Sequence, residues 1–158
     1  MGGLQRMIDS QKQNGVATGD IDADEFLRSH PNAILIGILL DQQMKAERAF
    51  QGPYRLHERL GHLDMNKIAD MDLDELQEVF GEKPKIHRFY NMMAERTHDL
   101  AQAVVDEFEG DAANLWNDGA NLDVIEERAS NLPGFGESKI SMLGDVLQLF
   151  NYRTVQSN

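Results

Sequence analysis

The chain has 158 residues, 27 Asp plus Glu against 15 Lys plus Arg, a formal net charge of -12 and no cysteine. That length suits one compact domain with a genuine core, the absence of cysteine excludes disulfides, thiolate-bound zinc and iron-sulfur clusters, and the acidity argues against a general nucleic-acid affinity carried by Lys and Arg. The start lacks the charged-then-apolar layout of a signal peptide, and the longest apolar run, 33–40, is too short to span a bilayer, so the expectation is a soluble, cytoplasmic protein with no membrane partner.

In chain order the pattern reads as helix after helix. Residues 1–20 mix Gly, Gln, Asn and Ser without a sustained apolar period and read as a flexible N-terminal arm, with at most a short helix near 4–11. Asp22 is placed to cap a helix over 24–29, and Pro31 to open a second over 32–43 that is apolar nearly all round and should form the buried axis. From Lys45 the pattern turns amphipathic, with a break expected at Gly52-Pro53. Short helices follow over 65–71 and 73–80, each introduced by an Asp, then a long one over 89–108 ending at Gly110. A Trp116 loop, a short helix over 122–130 and a last helix over 137–150 complete a domain spanning 21–158. No segment alternates with period two, so the fold class is all-α.

The charge is polarised. Residues 83–96 hold four basic groups, Lys83, Lys85, Arg88 and Arg96, against one acidic group. Residues 97–131 hold one basic and nine acidic groups, whereas 132–158 is neutral. A basic strip and an acidic face for a protein partner are the functional readings; a merely solvated acidic surface is the plainer one. The histidines, including His57, His62, His87 and His98, are scattered, with no pair at metal spacing on one helix. His87 beside Arg88 could serve the basic strip.

Residues 131–139, Asn-Leu-Pro-Gly-Phe-Gly-Glu-Ser-Lys, lie between two helices, with two glycines bracketing an apolar residue. Glycine permits positive φ and close backbone approach, Phe135 can anchor the turn, and the amides of Gly136, Glu137, Ser138 and Lys139 at a helix N-terminus suit a phosphate. The alternative is an ordinary tight helix-helix turn.

Leu-Pro-Gly-x-Gly-x-x-Lys before an apolar helix resembles the helix-hairpin-helix of the HhH-GPD base-excision DNA glycosylases, of endonuclease III type. Ile34-Leu-Ile-Gly-Ile-Leu-Leu-Asp-Gln-Gln43 resembles their central helix, and the segment from Tyr90 to Asp111 the long helix before the hairpin. Leu-Leu-Asp-Gln-Gln with Ala-Phe-Gln-Gly-Pro-Tyr is similar to an uncharacterised, cluster-free branch. The resemblance implies an endonuclease III-like helical bundle with its second lobe truncated, double-stranded DNA as partner, base flipping, and a nucleoid-associated setting. It implies that Gly134, Gly136 and the amides that follow, those of Ser138 and Lys139 included, hold a DNA phosphate, with Phe135 anchoring the turn; the charge pattern adds Lys85 and Arg88 of the strip to the expected DNA-binding residues. Gln42 and Gln43 would fill the gap left by an extruded base, and Met142 would line the base pocket. The carbonyls of Ser130, Leu132 and Phe135 would hold a monovalent cation, Na+ or K+; no other cofactor is implied.

The pattern also departs from the family. The lysine of bifunctional members falls at Ser138, with Lys139 about 100° further round the helix, so any activity should be monofunctional. The catalytic Asp falls at Gln156, and 146–158 has no Asp or Glu. Asp145, two turns past Ser138, and Asp41, beside the two glutamines, are the candidate substitutes; solvated or capping roles are their plainer readings. The function expected is a monofunctional DNA N-glycosylase or lesion binder, and the alternative a noncatalytic helix-hairpin-helix scaffold or acidic interaction module.

Overall fold

The computed structural model describes residues 2–153. Among these, nine α-helices and one 3-10 turn pack around a single core, without strands. They are α1 (Gly3–Asn14), α2 (Ile21–Ser29), α3 (Pro31–Leu40), α4 (Ala46–Leu60), α5 (Met65–Asp70), α6 (Leu73–Gly81), α7 (Tyr90–Phe108), the 3-10 turn Ala112–Leu115, α8 (Leu122–Ala129) and α9 (Glu137–Leu149). No helix among the described residues is long and apolar enough to cross a membrane.

The axis is α3. Pro31 opens it, where a missing amide costs nothing, and every residue from Ala33 to Leu40 is buried. Because no face is polar, α3 must be enclosed, and α2, α4, α7, α9 and the 3-10 turn pack on it. Its crossing with α4 is close because Gly37 lacks a side chain: a Cβ there would meet the Phe50 ring at 2.6 Å. Asn32 fastens the far end, donating to the Leu63 carbonyl at 2.9 Å and accepting from the Ala112 amide at 2.9 Å.

Three local expectations are corrected. Residues 1–20, read as a flexible arm, contain α1, which packs on α4 and α9, buries Met7 completely and pairs Arg6 with Glu47 at 3.1 Å. The turn after it is bound by buried Asp24, whose carboxylate accepts the amides of Ala17 and Thr18 at 2.6 and 3.0 Å and the Thr18 hydroxyl. These contacts are tertiary and leave no periodic trace in a polar segment. Asp20, and not Asp22, caps α2, accepting from Asp22 N and Ala23 N at 2.9 and 3.3 Å. The break at Gly52-Pro53 does not occur, and Pro53 lies inside α4. An interior proline costs roughly 3 kcal/mol, but Phe50, Gly52, Pro53 and Leu56 are all buried on this helix, and their burial outweighs one lost hydrogen bond.

Candidate nucleic-acid interface

The interface is built where α3 ends. Leu40 is its last residue, three residues earlier than the expected helix over 32–43, because the chain leaves the axis sharply: the Gln42 amide donates to the Leu40 carbonyl at 2.7 Å and Gln43 takes a left-handed φ of 55°. The α6–α7 loop holds this linker. His87, 1% exposed, donates from Nε2 to the Gln42 carbonyl at 2.9 Å, while its Nδ1 accepts the Phe89 amide at 3.0 Å. This fixes a neutral ring, and burial, followed by the cations of Arg88 and Arg96, pulls His87 below the usual histidine range. Arg88 donates to the Gln43 carbonyl at 3.0 Å.

The Gln42 side chain turns toward the hairpin. Its Oε1 accepts from Arg96 Nη1 at 2.9 Å and from Lys139 Nζ at 3.3 Å, so two cations from α7 and α9 converge on one neutral acceptor. Burial, then the Arg96 charge, holds the Lys139 ammonium below its ordinary value. Asp41, half-buried at the α3 terminus, lies in the same field: burial raises its carboxyl, and Lys139 is the largest influence opposing that rise, with Glu47 adding to it and Arg6 resisting it.

The hairpin runs from the end of α8 to the start of α9. The Phe135 amide closes onto the Leu132 carbonyl at 3.2 Å, Gly134 takes φ +83°, and Leu132 and Phe135 are buried. Gly136 caps α9 with an ordinary negative φ, and a Cβ built there meets nothing within 4 Å. The side of Gly136 is therefore open space that a ligand can occupy. Lys139 N donates to the Gly136 carbonyl at 3.1 Å, so its amide is already used, contrary to expectation; those of Gly136, Glu137 and Ser138 precede the first helical bond and face outward.

The remaining expected residues separate. Lys85 and Arg88 line a groove with Gln43, Met44 and Arg48 that shares no residue with the groove at the hairpin. Lys83 is exposed and not among that groove's lining residues. Ser138 is exposed beside Glu126 and Glu137. Met142 packs partly into the core, and Asp145 lines a separate cavity with Ile8, Gln11, Lys12 and Arg28. The helical spacing of Ser138, Met142 and Asp145 thus does not gather them in one pocket, because α1 covers the second half of that face. Gln156 lies outside the described residues. Arg48 was not anticipated; nothing local distinguishes it, since it joins Lys85 and Arg88 only through tertiary packing. Acidic side chains also border the hairpin, with Glu95 and Asp99 lining the groove that contains Arg96 and Gly136.

The family model described as HhH-GPD superfamily base excision DNA repair protein matches residues 36–150, from within α3 through the end of α9. The chain belongs to this superfamily of base-excision DNA repair proteins, and DNA is the partner that membership entails. No curated protein and no solved structure matches it.

Proposed function

We propose that this chain recognises damaged or modified bases in double-stranded DNA by base flipping and acts as a monofunctional DNA N-glycosylase, hydrolysing the base-sugar bond without strand cleavage. One observation carries the DNA-facing part: Arg96 and Lys139 converge on Gln42 Oε1 beside the open amides of α9. Bringing two like charges onto a neutral acceptor is unfavourable in itself, and a phosphate seated at Gly134–Gly136 relieves it. Gln42 and Gln43 follow the end of α3 and would enter the duplex, Gln43 being exposed and Gln42 released when phosphate takes over its two cations. The carbonyls of Ser130 and Phe135 accept no hydrogen bond among the described residues, and that of Leu132 accepts one. These fit a bound Na+ or K+, which would add charge next to the phosphate.

The monofunctional assignment rests on position. Ser138 stands where the family's amine would be, and Lys139, about 100° further round α9, is held by Gln42 in the free chain and by the phosphate once DNA is bound. Hydrolysis needs a carboxylate near the developing positive charge on the sugar. Asp41 is the better placed of the two candidates, since it shares the electrostatic field of Lys139 while Asp145 faces α1 and α2. Glu95 and Asp99 at the hairpin groove are the observation that favours the second reading, a noncatalytic scaffold with an acidic face for a protein partner. The deciding experiment is a base-release assay over duplexes carrying different damaged bases, with alkali to reveal abasic sites and borohydride to trap any amine adduct. Alkali-dependent cleavage without a trapped adduct supports the proposal. Duplex binding without release at any base leaves the scaffold, and a trapped adduct overturns the monofunctional assignment.

A further inference from the structure

We infer that the groove lined by Gln43, Met44, Arg48, Lys85 and Arg88 is a second phosphate subsite, which holds the strand opposite the one seated on the hairpin. The inference rests on the DNA-binding reading above and adds to it a location and a strand. The groove encloses about 380 Å³ and none of its lining residues is acidic. That is against expectation in a chain with 27 carboxylates and 15 Lys plus Arg. The ion pairs among the described residues are Arg6–Glu47, Arg28–Glu25 and Arg128–Asp118, so none neutralises Arg48, Lys85 or Arg88.

These cations are also held in place. Arg88 donates to the Gln43 carbonyl at 3.0 Å and its guanidinium lies 5.2 Å from the Phe89 ring centre. Arg48 donates to the Lys85 carbonyl at 3.3 Å, and Lys85 Nζ lies 5.0 Å from the Tyr90 ring centre. A guanidinium bonded to a carbonyl keeps further N–H donors for an anion. Preordered cations without carboxylate partners are poor for folding, because their repulsion is unrelieved, and good for binding a polyanion, because little side-chain freedom is lost.

The position selects the strand. Adjacent residues of the linker face the two anion sites: Gln42 reaches Arg96 and Lys139 on the hairpin side, while Gln43 lines the basic groove. A linker that enters a duplex between its strands has one backbone on each flank. The hairpin takes one, and the basic groove, which shares no lining residue with the hairpin groove, is assigned the other.

Fluorescence anisotropy with a labelled duplex and with its labelled single strand tests this. The variants are Lys85→Gln, chosen because the Lys85 ammonium makes no hydrogen bond among the described residues and lies only over the Tyr90 ring, and the triple Arg48→Gln/Lys85→Gln/Arg88→Gln. Duplex affinity should fall roughly threefold per lost contact, the salt slope should shrink by about 0.9 for each, and single-strand affinity should hold. Gly136→Ala, at the hairpin, should weaken both forms. Unchanged duplex affinity in Lys85→Gln and in a folded triple variant overturns the subsite and leaves the hairpin reading intact. Equal losses on duplex and single strand overturn the strand assignment. A wild-type chain that binds neither form removes the hairpin reading and the subsite together.

Discussion

Gly134 and Leu39 are in contact across the hairpin and the buried axis: a Cβ on Gly134 would lie 2.8 Å from Leu39 Cδ1. The two hairpin glycines therefore have different roles. Gly134, at φ +83°, is required by the fold, whereas Gly136, at φ -84° with open space beside it, is available to the ligand.

Gly134→Ala should destabilise the chain by about 2–4 kcal/mol, from a left-handed backbone and a crowded core. Leu39→Ala, which vacates a fully buried site, should cost roughly 2–5 kcal/mol alone, and the double variant should lose less than the sum. Gly136→Ala should change stability by under about 0.5 kcal/mol yet weaken DNA binding. Urea denaturation and anisotropy on the same samples separate the two; equal stability losses at both glycines would reject the division of roles.

Asp24→Ala should cost about 3 kcal/mol, since it leaves the amides of Ala17 and Thr18 without their buried acceptor. Amide exchange should then accelerate in α1 before the rest of the chain. A variant melting like the wild type would show that the N-terminal turn does not depend on this carboxylate.

If base release is found, Asp41→Asn should abolish most of it, by roughly a hundredfold or more, with DNA affinity held or slightly raised by loss of a negative charge. Asp145→Asn should leave release near the wild-type rate. The reverse ranking would move the chemistry to the cavity between α1 and α9.

His87 makes stability sensitive to acid. Its folded pKa lies below the ordinary value of 6.5, so above that pH both states are neutral and nothing is lost. As pH falls below 6.5, the unfolded chain takes up a proton that the folded ring resists, and stability declines toward the folded value. His62, also lowered chiefly by burial, adds to the same trend. Between about pH 7.5 and about pH 5 the Tm of His87→Gln should fall less than that of the wild type. Parallel curves would mean that His87 is protonated as readily folded as unfolded.

What the sequence determined by itself was whatever is written in local patterns. The unbroken apolar run of α3 has one physical solution, enclosure by other helices, and Leu-Pro-Gly-Phe-Gly before an apolar helix specifies a glycine-dependent turn with an open helix N-terminus. Both, with the family they carry, were legible without coordinates. Tertiary structure decided what depends on residues far apart in the chain. It ordered α1 through Asp24 and the Arg6–Glu47 pair, and it carried α4 through Pro53 by burying the face around it. It separated Gly134, packed against Leu39, from Gly136, in open space, and it set Asp41 within the electrostatic field of Lys139 and Asp145 in a cavity lined by α1. It also gathered Arg48, Lys85 and Arg88 into one groove. Periodicity reports which face of a helix is apolar, but not which distant side chain that face will meet, and the chemistry of this site is made of such meetings.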